Sequence, residues 1–229
     1  MIIILNRKKT NYLIITFLLL LILKIIGGLL FFSLASPVLG EGQKLTIVID
    51  PGHGGRDPGA NVGNILEKEI NLDIAKRIKT YLENRGYKVH LTRTTDTNLV
   101  NWKDRGSYQR ASLKERVDIA KKQSYPILIS IHCNSSGNKN HFGPQTFYKE
   151  GDLEGEKLAI NIQRELSQLR TTNRQAAVGE YYLLDNAPFP TVIVEIGFLS
   201  NEQDREMLCK EDFRQRIAQA IGQGIQDSL

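Results

Sequence analysis

The sequence predicts a single α/β domain in which a mainly parallel, twisted sheet is flanked by helices on both faces. From residue 44 onward, short β-branched apolar runs alternate with stretches whose apolar residues recur at helical spacing. No internal repeat or low-complexity linker divides this region. A body of roughly 190 residues is also large enough for one well-buried core. We therefore expect one domain over residues 41–229.

The first elements of this domain are a strand, a helix and a second strand. Residues 45–49 (LTIVI) form a continuous run that ends in Asp-Pro-Gly, which is typical of a strand buried on both faces. Apolar residues then recur at every fourth position from Ile70 to Leu82, so we expect a helix over residues 67–85. Residues 87–92 (YKVHLT) return to the composition of a strand.

The middle of the domain starts with a segment that matches neither period, residues 97–111. It is either a loop over the functional site or a solvated connection, and the two interpretations are equally favoured. A second helix is expected at about residues 112–122. The run ILISI at residues 127–131 then predicts a third buried strand.

The last part of the domain predicts two helices around a fourth strand. Residues 191–196 (TVIVEI) have the composition of a strand, and Ser200 with Gln203 resembles a capping box that opens the final helix. The apolar residues that mark the third helix are Leu158, Ile162, Leu166 and Leu169, and those of the final helix are Leu208, Phe213, Ile217 and Ile221.

Residues 1–40 differ in kind from the rest of the chain. Three basic residues, Arg7, Lys8 and Lys9, precede an apolar stretch over residues 12–34 that only Lys24 interrupts. This pattern predicts a signal peptide or an N-terminal membrane anchor, because a buried core helix rarely has a basic start and about 20 apolar residues. We favour a retained anchor slightly, since the stretch is long for a signal peptide. The remaining chain is expected outside the cytoplasmic membrane.

Charge and cysteine content exclude two further classes. The formal net charge is +5, but residues 1–40 carry four basic and no acidic residues, which leaves 26 basic against 25 acidic residues in the body. No nucleic-acid partner is therefore expected. Cys133 and Cys209 are too few for a disulfide framework, and we favour two unpaired thiols.

Chemically active side chains follow the ends of three predicted strands. His53 follows the first strand, His132 follows the third, and Glu195 lies near the end of the fourth. Ligand sites of parallel sheets gather at this edge, and Glu67 opens a helix that starts there. A His-Glu-His set suits zinc with an open fourth position.

Each of these residues also has a simpler explanation. His53 could be a hydrogen-bonding loop residue, and His132 a satisfied core histidine. Glu67 could be a carboxylate favoured at a helix N-terminus. Glu195 is harder to explain in this way, because a carboxylate inside a strand is costly to bury without a partner. The residues alone leave a metal site and these structural roles equally open.

Five segments resemble the zinc-dependent N-acetylmuramoyl-L-alanine amidases, which are cell-wall hydrolases of bacteria. The resemblance covers nearly all of residues 44–228. The segments occur in the order and spacing of that family and are IDPGHGGRDPGA (49–60), the LEKEIN-containing segment (66–93), LKERVDIA (113–120), ILISIHCNSS (127–136) and VIVEIGFLSN (192–201).

The resemblance implies one Zn²⁺ held by His53, Glu67 and His132, with Glu195 as the catalytic glutamate. Glu67 is chosen over Glu69 because the family's glutamate precedes lysine. The implied reaction is hydrolysis of the amide between N-acetylmuramic acid and L-alanine of peptidoglycan. The alternatives are a zinc peptidase acting on the stem peptide and a non-catalytic wall-binding module.

Two further residues are candidates for substrate contacts. Asn134 could orient the substrate or a ligand, and Arg116 either contacts substrate or braces its own helix, which we favour. Cys133 occupies a position where the family has a small or aliphatic residue. It should face away from His132, because side chains alternate along a strand.

Within the family, residues 96–117 and the single N-terminal apolar segment resemble the spore-cortex, germination-associated amidases. This similarity implies a role in cortex maturation, in the pathway that forms muramic lactam, with a general vegetative autolysin as the alternative. The expected partners are peptidoglycan and, for the N-terminal segment, the membrane. The need for an accessory protein stays open.

Overall fold

The computed structural model describes residues 17–22, 24, 45–101 and 108–229. The chain divides into two units, Met1–Gln43 and Lys44–Leu229. In the first unit, residues 17–22 and 24 are helical, and the rest of the predicted anchor lies outside the described residues. Within these ranges, no helix is both long enough and apolar enough to cross a membrane.

The second unit is built on a six-stranded sheet with the strand order β4-β1-β5-β8-β6-β7, and a separate hairpin pairs β2 with β3. The strands are β1 (Thr46–Pro51), β2 (Asn61–Val62), β3 (Ile65–Leu66), β4 (Lys88–Leu91), β5 (Pro126–Asn134), β6 (Gln145–Tyr148), β7 (Ala177–Val178) and β8 (Thr191–Phe198). The helices are α1 (Glu67–Glu83), α2 (Tyr108–Lys121), α3 (Leu153–Leu169), α4 (Tyr182–Asn186), α5 (Glu202–Leu208) and α6 (Glu211–Gln226).

The fold class predicted from the sequence is confirmed. In this sheet the neighbouring strands β4, β1, β5 and β8 are parallel, and β6 pairs with β8 in the antiparallel direction. Alternate side chains of the central strands enter separate clusters. Ile47 and Ile49 belong to the main core with α1, α3 and α6, whereas Val48 packs with Ala120 of α2. Helices therefore cover both faces.

Two predicted boundaries were wrong. Helix α2 begins at Tyr108, so residues 108–111 of the predicted loop are helical, whereas residues 102–107 lie outside the described residues. The predicted final helix is two helices, α5 and α6. Leu208 and Phe213 are five positions apart, a spacing that would place them on different faces of one helix. The chain instead turns at Lys210, which has an extended backbone.

The predicted capping box at Ser200 was also wrong by one residue. Asn201 caps α5, because its side-chain oxygen accepts a hydrogen bond from the Asp204 N–H at 3.0 Å. The hydroxyl of Ser200 accepts a hydrogen bond from the Ser136 N–H instead. Ser200 therefore joins the loop after β5 to the turn after β8.

The elements that the sequence did not predict are short. Strands β2, β3 and β7 have two residues each, β6 has four and α4 has five. Segments of this length contain too few residues for an apolar period to show. Strand β6 still matters for the site, because it lies beside the carboxyl end of β8.

Candidate active site

The loop after β1 has an unusual backbone that presents His53. Gly52 donates its N–H to the carbonyl of Ile131 at 2.9 Å, which ties the loop to β5. His53 then adopts a positive φ of 61°. This conformation is strained for a residue with a side chain, and such strain persists only where the surroundings enforce it.

Two buried arginines enforce the conformation of this loop. Arg116 donates to the carbonyls of His53 at 2.8 Å and Pro51 at 3.0 Å. Arg93 donates to the carbonyls of Pro51 at 3.0 Å and Gly52 at 2.9 Å. Both are nearly fully buried. The structure thus places Arg116 on the backbone of this loop, residues 52–60, which we call the metal-site loop.

Asp50 balances the charge of these arginines at the end of β1. It is fully buried and forms an ion pair with Arg116 and hydrogen bonds with the hydroxyls of Ser130 and Thr92. Burial opposes ionisation of Asp50, but Arg116 and the two hydroxyls outweigh it and lower the pKa of this carboxyl. Sequence analysis did not single out Asp50, although a charged residue ending a buried strand was a visible signal.

The structure brings the three expected metal ligands together. His53, Glu67 and His132 each offer one ligand atom, and these atoms lie within 4.8 Å of one another. Oε1 of Glu67 is 3.2 Å from Nε2 of His53 and 3.0 Å from Nδ1 of His132. Two ring nitrogens and one carboxylate oxygen are the donor set of a catalytic zinc site with an open position.

Glu67 is held in place as the shared carboxylate of this group. It begins α1, and its Oε2 accepts the Ala60 N–H at 2.7 Å. Its Oε1 accepts the Cys133 N–H at 3.0 Å and the side-chain amide of Asn71 at 3.2 Å. Burial opposes ionisation, but hydrogen bonds and charge from His132 and His53 dominate and lower the pKa of Glu67 below its ordinary range.

Two glycines make the approach of these side chains possible. A Cβ on Gly52 would lie 2.2 Å from Cε1 of His132. A Cβ on Gly59 would lie 2.5 Å from Oε2 of Glu67 and 2.7 Å from Cδ2 of His53. Since real Cβ contacts are longer than this, only glycine fits at either position. The residues present therefore form a cradle that suits a small metal ion.

The ring of His53 has a second carboxylate partner besides Glu67. Its Nδ1 lies 2.8 Å from Oδ2 of Asp57. Burial opposes protonation of the ring, but the hydrogen bonds and negative charges of Asp57 and Glu67 outweigh it and raise the pKa of His53 to about 9. A metal ion at this site would replace that proton.

Glu195 lies beside the cluster on β8. It is 9% exposed, and its Oε2 has no hydrogen-bond partner in the described part of the chain. Burial, together with the negative charge of Glu67, raises the pKa of Glu195 to about 7, against the attraction of His132 and His53. An unpaired buried carboxyl whose pKa is near neutrality is suited to accept and release a proton.

Asn134 and the cysteines are the remaining residues that the sequence singled out. Asn134 ends β5, where a register shift separates it from His132, and its carbonyl accepts the Leu199 N–H at 2.9 Å. Both cysteines are free, as expected. The sulfur of Cys133 is buried 3.6 Å from Oδ1 of Asn71, and burial raises its pKa well above the ordinary value.

Three side chains that could hold a metal ion thus gather beside a buried carboxyl group at the carboxyl edge of a parallel sheet, an arrangement typical of metal-dependent hydrolases. Comparison with known proteins identifies the family. Residues 47–227 match the N-acetylmuramoyl-L-alanine amidase family, and the chain belongs to it. It is therefore an N-acetylmuramoyl-L-alanine amidase, a cell-wall hydrolase of a family that is in general zinc-dependent.

Individual relatives agree with this assignment. The chain is 37% identical over 183 residues to the germination-specific N-acetylmuramoyl-L-alanine amidase of Bacillus subtilis (strain 168), covering 78% of this chain and 77% of that protein. It is 35% identical over 195 residues to the amidase LytC of the same organism, covering 84% of this chain but only 36% of LytC.

A solved structure is similar to most of this chain. It is the CwlD amidase from Clostridioides difficile, determined in complex with the GerS lipoprotein. The two chains are 35% identical with a TM-score of 0.75, and the similarity covers 80% of this chain and 97% of that one.

Proposed function

We propose that this chain is a single-zinc amidase that acts on peptidoglycan of the spore cortex, outside the cytoplasmic membrane. The observation that carries the proposal is Oε2 of Glu195, which has no hydrogen-bond partner among the described residues and lies beside the clustered side chains of His53, Glu67 and His132. In this proposal residues 41–229 are the catalytic domain and residues 1–40 are a membrane anchor or a signal peptide.

His53, Glu67 and His132 would hold the ion through two ring nitrogens and one carboxylate. A zinc ion there would supply Lewis-acid chemistry, which lowers the pKa of water towards neutrality and polarises a carbonyl group. The two arginines on the loop backbone keep His53 in place. Because the histidine is already held in its position before substrate binds, no free energy is needed to reorganise it during the reaction.

Glu195 is the general base and then the general acid of the proposed reaction. It accepts a proton from the attacking water, whose oxygen bonds to the carbonyl carbon of the lactyl group. It then donates that proton to the nitrogen of L-alanine as the C–N bond breaks. The products are an N-acetylmuramic acid residue with a free lactyl carboxylate and a peptide with a free amino group.

The cortex assignment depends on the relatives. The chain is 37% identical to the germination-specific amidase of Bacillus subtilis, which supports a role like that of this relative. A vegetative autolysin is the second candidate. The CwlD amidase was solved with a lipoprotein, which supports an accessory lipoprotein as a partner of this chain too.

The proposed location follows from the substrate and the N-terminal sequence. Peptidoglycan lies outside the cytoplasmic membrane, and the basic, apolar segment before residue 41 has the pattern of an export signal or anchor. Fractionation of cells that express the full chain would show which of the two it is. A retained anchor leaves an intact N-terminus in the membrane fraction, whereas a signal peptide is removed.

The decisive experiment is product analysis with purified residues 41–229. The protein should contain one zinc per chain, and mass spectrometry of digested peptidoglycan should find peptides that begin at L-alanine. Cleavage between two amino acids of the stem would instead identify a peptidase. Cortex and vegetative peptidoglycan are compared side by side, and faster cleavage of vegetative material would contradict the cortex assignment.

A further inference from the structure

Asp57 contacts the metal-site loop in three ways. Its Oδ2 lies 2.8 Å from Nδ1 of His53, and its Oδ1 accepts the Gly59 N–H at 3.1 Å. Its backbone exchanges two hydrogen bonds with Gly54, at 3.0 and 3.1 Å. The loop is thus closed on itself, and this closure places one carboxylate oxygen against the histidine ring.

The chemistry of Asp57 decides which ring nitrogen of His53 carries a proton. A carboxylate accepts hydrogen bonds and donates none. Nδ1 therefore keeps its proton, and Nε2, which lies 3.2 Å from Oε1 of Glu67, is the nitrogen whose proton a metal ion would replace. A second hydrogen bond of this kind fixes both the tautomer and the orientation of a metal-ligating histidine.

His132 is oriented differently. It faces Glu67 through Nδ1, and its ring packs against the backbone of Gly52. The two rings lie edge to face with centroids 4.9 Å apart. His132 is held by packing, whereas His53 stands in a strained loop and depends on a side-chain partner.

We propose that Asp57 is a positioning residue that selects the Nδ1–H tautomer of His53 and so presents Nε2 to the metal. This inference rests on the proposed function, because it assigns a role to Asp57 in the same metal site. The alternative is a structural role, in which Asp57 only closes the loop through Gly59 and Gly54.

Asp57→Asn separates the two roles, because asparagine has one acceptor oxygen where aspartate has two. If that oxygen keeps the Gly59 N–H, the amide nitrogen faces Nδ1 and donates to it. His53 is then protonated at Nε2, the nitrogen that the metal needs. The substitution preserves the size of the side chain and the loop closure while reversing the tautomer.

The test is zinc affinity of the full chain, measured by competition with a chromophoric chelator. Asp57→Asn should weaken zinc binding about 10- to 100-fold, and at least as much as Asp57→Ala. In the zinc-loaded wild type, ¹H–¹⁵N correlation spectra should show His53 protonated at Nδ1. Asp118→Asn is the matched control, since Asp118 is partly exposed like Asp57 and forms an ion pair with Lys114. The Asp118→Asn variant should bind zinc as tightly as the wild type.

Two results would overturn the inference. Zinc affinity of Asp57→Asn equal to that of the wild type, with only Asp57→Ala impaired, would assign Asp57 to loop closure. Wild-type spectra in which Nδ1 of His53 carries no proton would do the same. Failure of the metal site itself is distinguishable, because His53→Ala would then leave zinc binding unchanged.

Discussion

His132 and Glu195 occupy directly paired positions on the neighbouring parallel strands β5 and β8. Paired residues of adjacent strands project to the same side of a sheet. The ladder therefore fixes the carboxyl group of Glu195 beside a ligand of the metal cluster. Both strands belong to the buried centre of the sheet. A change in the relative position of the two side chains would therefore disrupt the core.

Glu195→Gln should separate metal binding from catalysis. The amide has nearly the same shape as the carboxylate, so we expect zinc content to stay at the wild-type level. An amide cannot accept the proton of water, so turnover of purified muropeptides should fall about 10²- to 10⁴-fold. The exposed Glu202 provides the control, because Glu202→Gln should leave both quantities unchanged. Retained turnover in Glu195→Gln would refute the assigned role.

Glu195 should also make the zinc-free protein less stable as pH rises. Its pKa is about 7 in the folded protein and 4.5 ordinarily, so folding favours the protonated carboxyl. The stabilisation is complete below pH 4.5 and is lost as pH rises through about 7, a change of roughly 3 kcal/mol.

Urea unfolding at about pH 5 and about pH 8, with a chelator present, measures this effect. Zinc-free Glu195→Gln should be more stable than the wild type at the higher pH, because it lacks the buried charge. An equal pH dependence in the two proteins would show that Glu195 does not titrate as described.

Gly52→Ala should damage the metal site through one methyl group. The added Cβ would lie 2.2 Å from the ring of His132, so the ring or the backbone at residue 52 must shift. We expect zinc affinity to fall at least 10-fold, which is the loss typical of a site whose metal ligand is no longer held in its orientation. Gly137→Ala is the control, since a Cβ there meets no atom of the described residues within 4 Å. Equal zinc affinities for the two variants would contradict the cradle.

Arg116→Ala should destabilise the whole domain. It leaves Asp50 without its cationic partner in the core and releases the carbonyl of His53, whereas the carbonyl of Pro51 keeps its hydrogen bond from Arg93. Removal of one partner from a buried pair costs about 3–5 kcal/mol. Lys114→Ala breaks the exposed pair with Asp118 on the same helix and should leave the melting temperature unchanged. A similar small effect for Arg116→Ala would show that the buried pair contributes little.

The elements that carry the site could be predicted because they are long and apolar. Continuous apolar runs form most of strands β1, β5 and β8. The shared direction of these strands places His53, His132 and Glu195 at one edge of the sheet. The boundaries of α2 and α5 could not be predicted, since a cap one residue later or an extra turn leaves the apolar pattern unchanged.

The supporting residues could not be assigned from the sequence for a different reason. Arg93 and Arg116 act on backbone carbonyls of a loop, and such partners are not specified by residue type. Asp57 is close to His53 in sequence, but its contact depends on the turn that the Gly54 pairing creates. Only the folded loop shows which polar residue faces the ring.

The hydrogen bond between Glu67 and His132 joins residues that are 65 positions apart. Neither the helix that begins at Glu67 nor the strand before His132 can gather the ligands alone. These side chains come together only in the folded domain, so a zinc ion bound there as proposed would stabilise the folded state by mass action. Under the proposal, metal uptake follows assembly of the sheet.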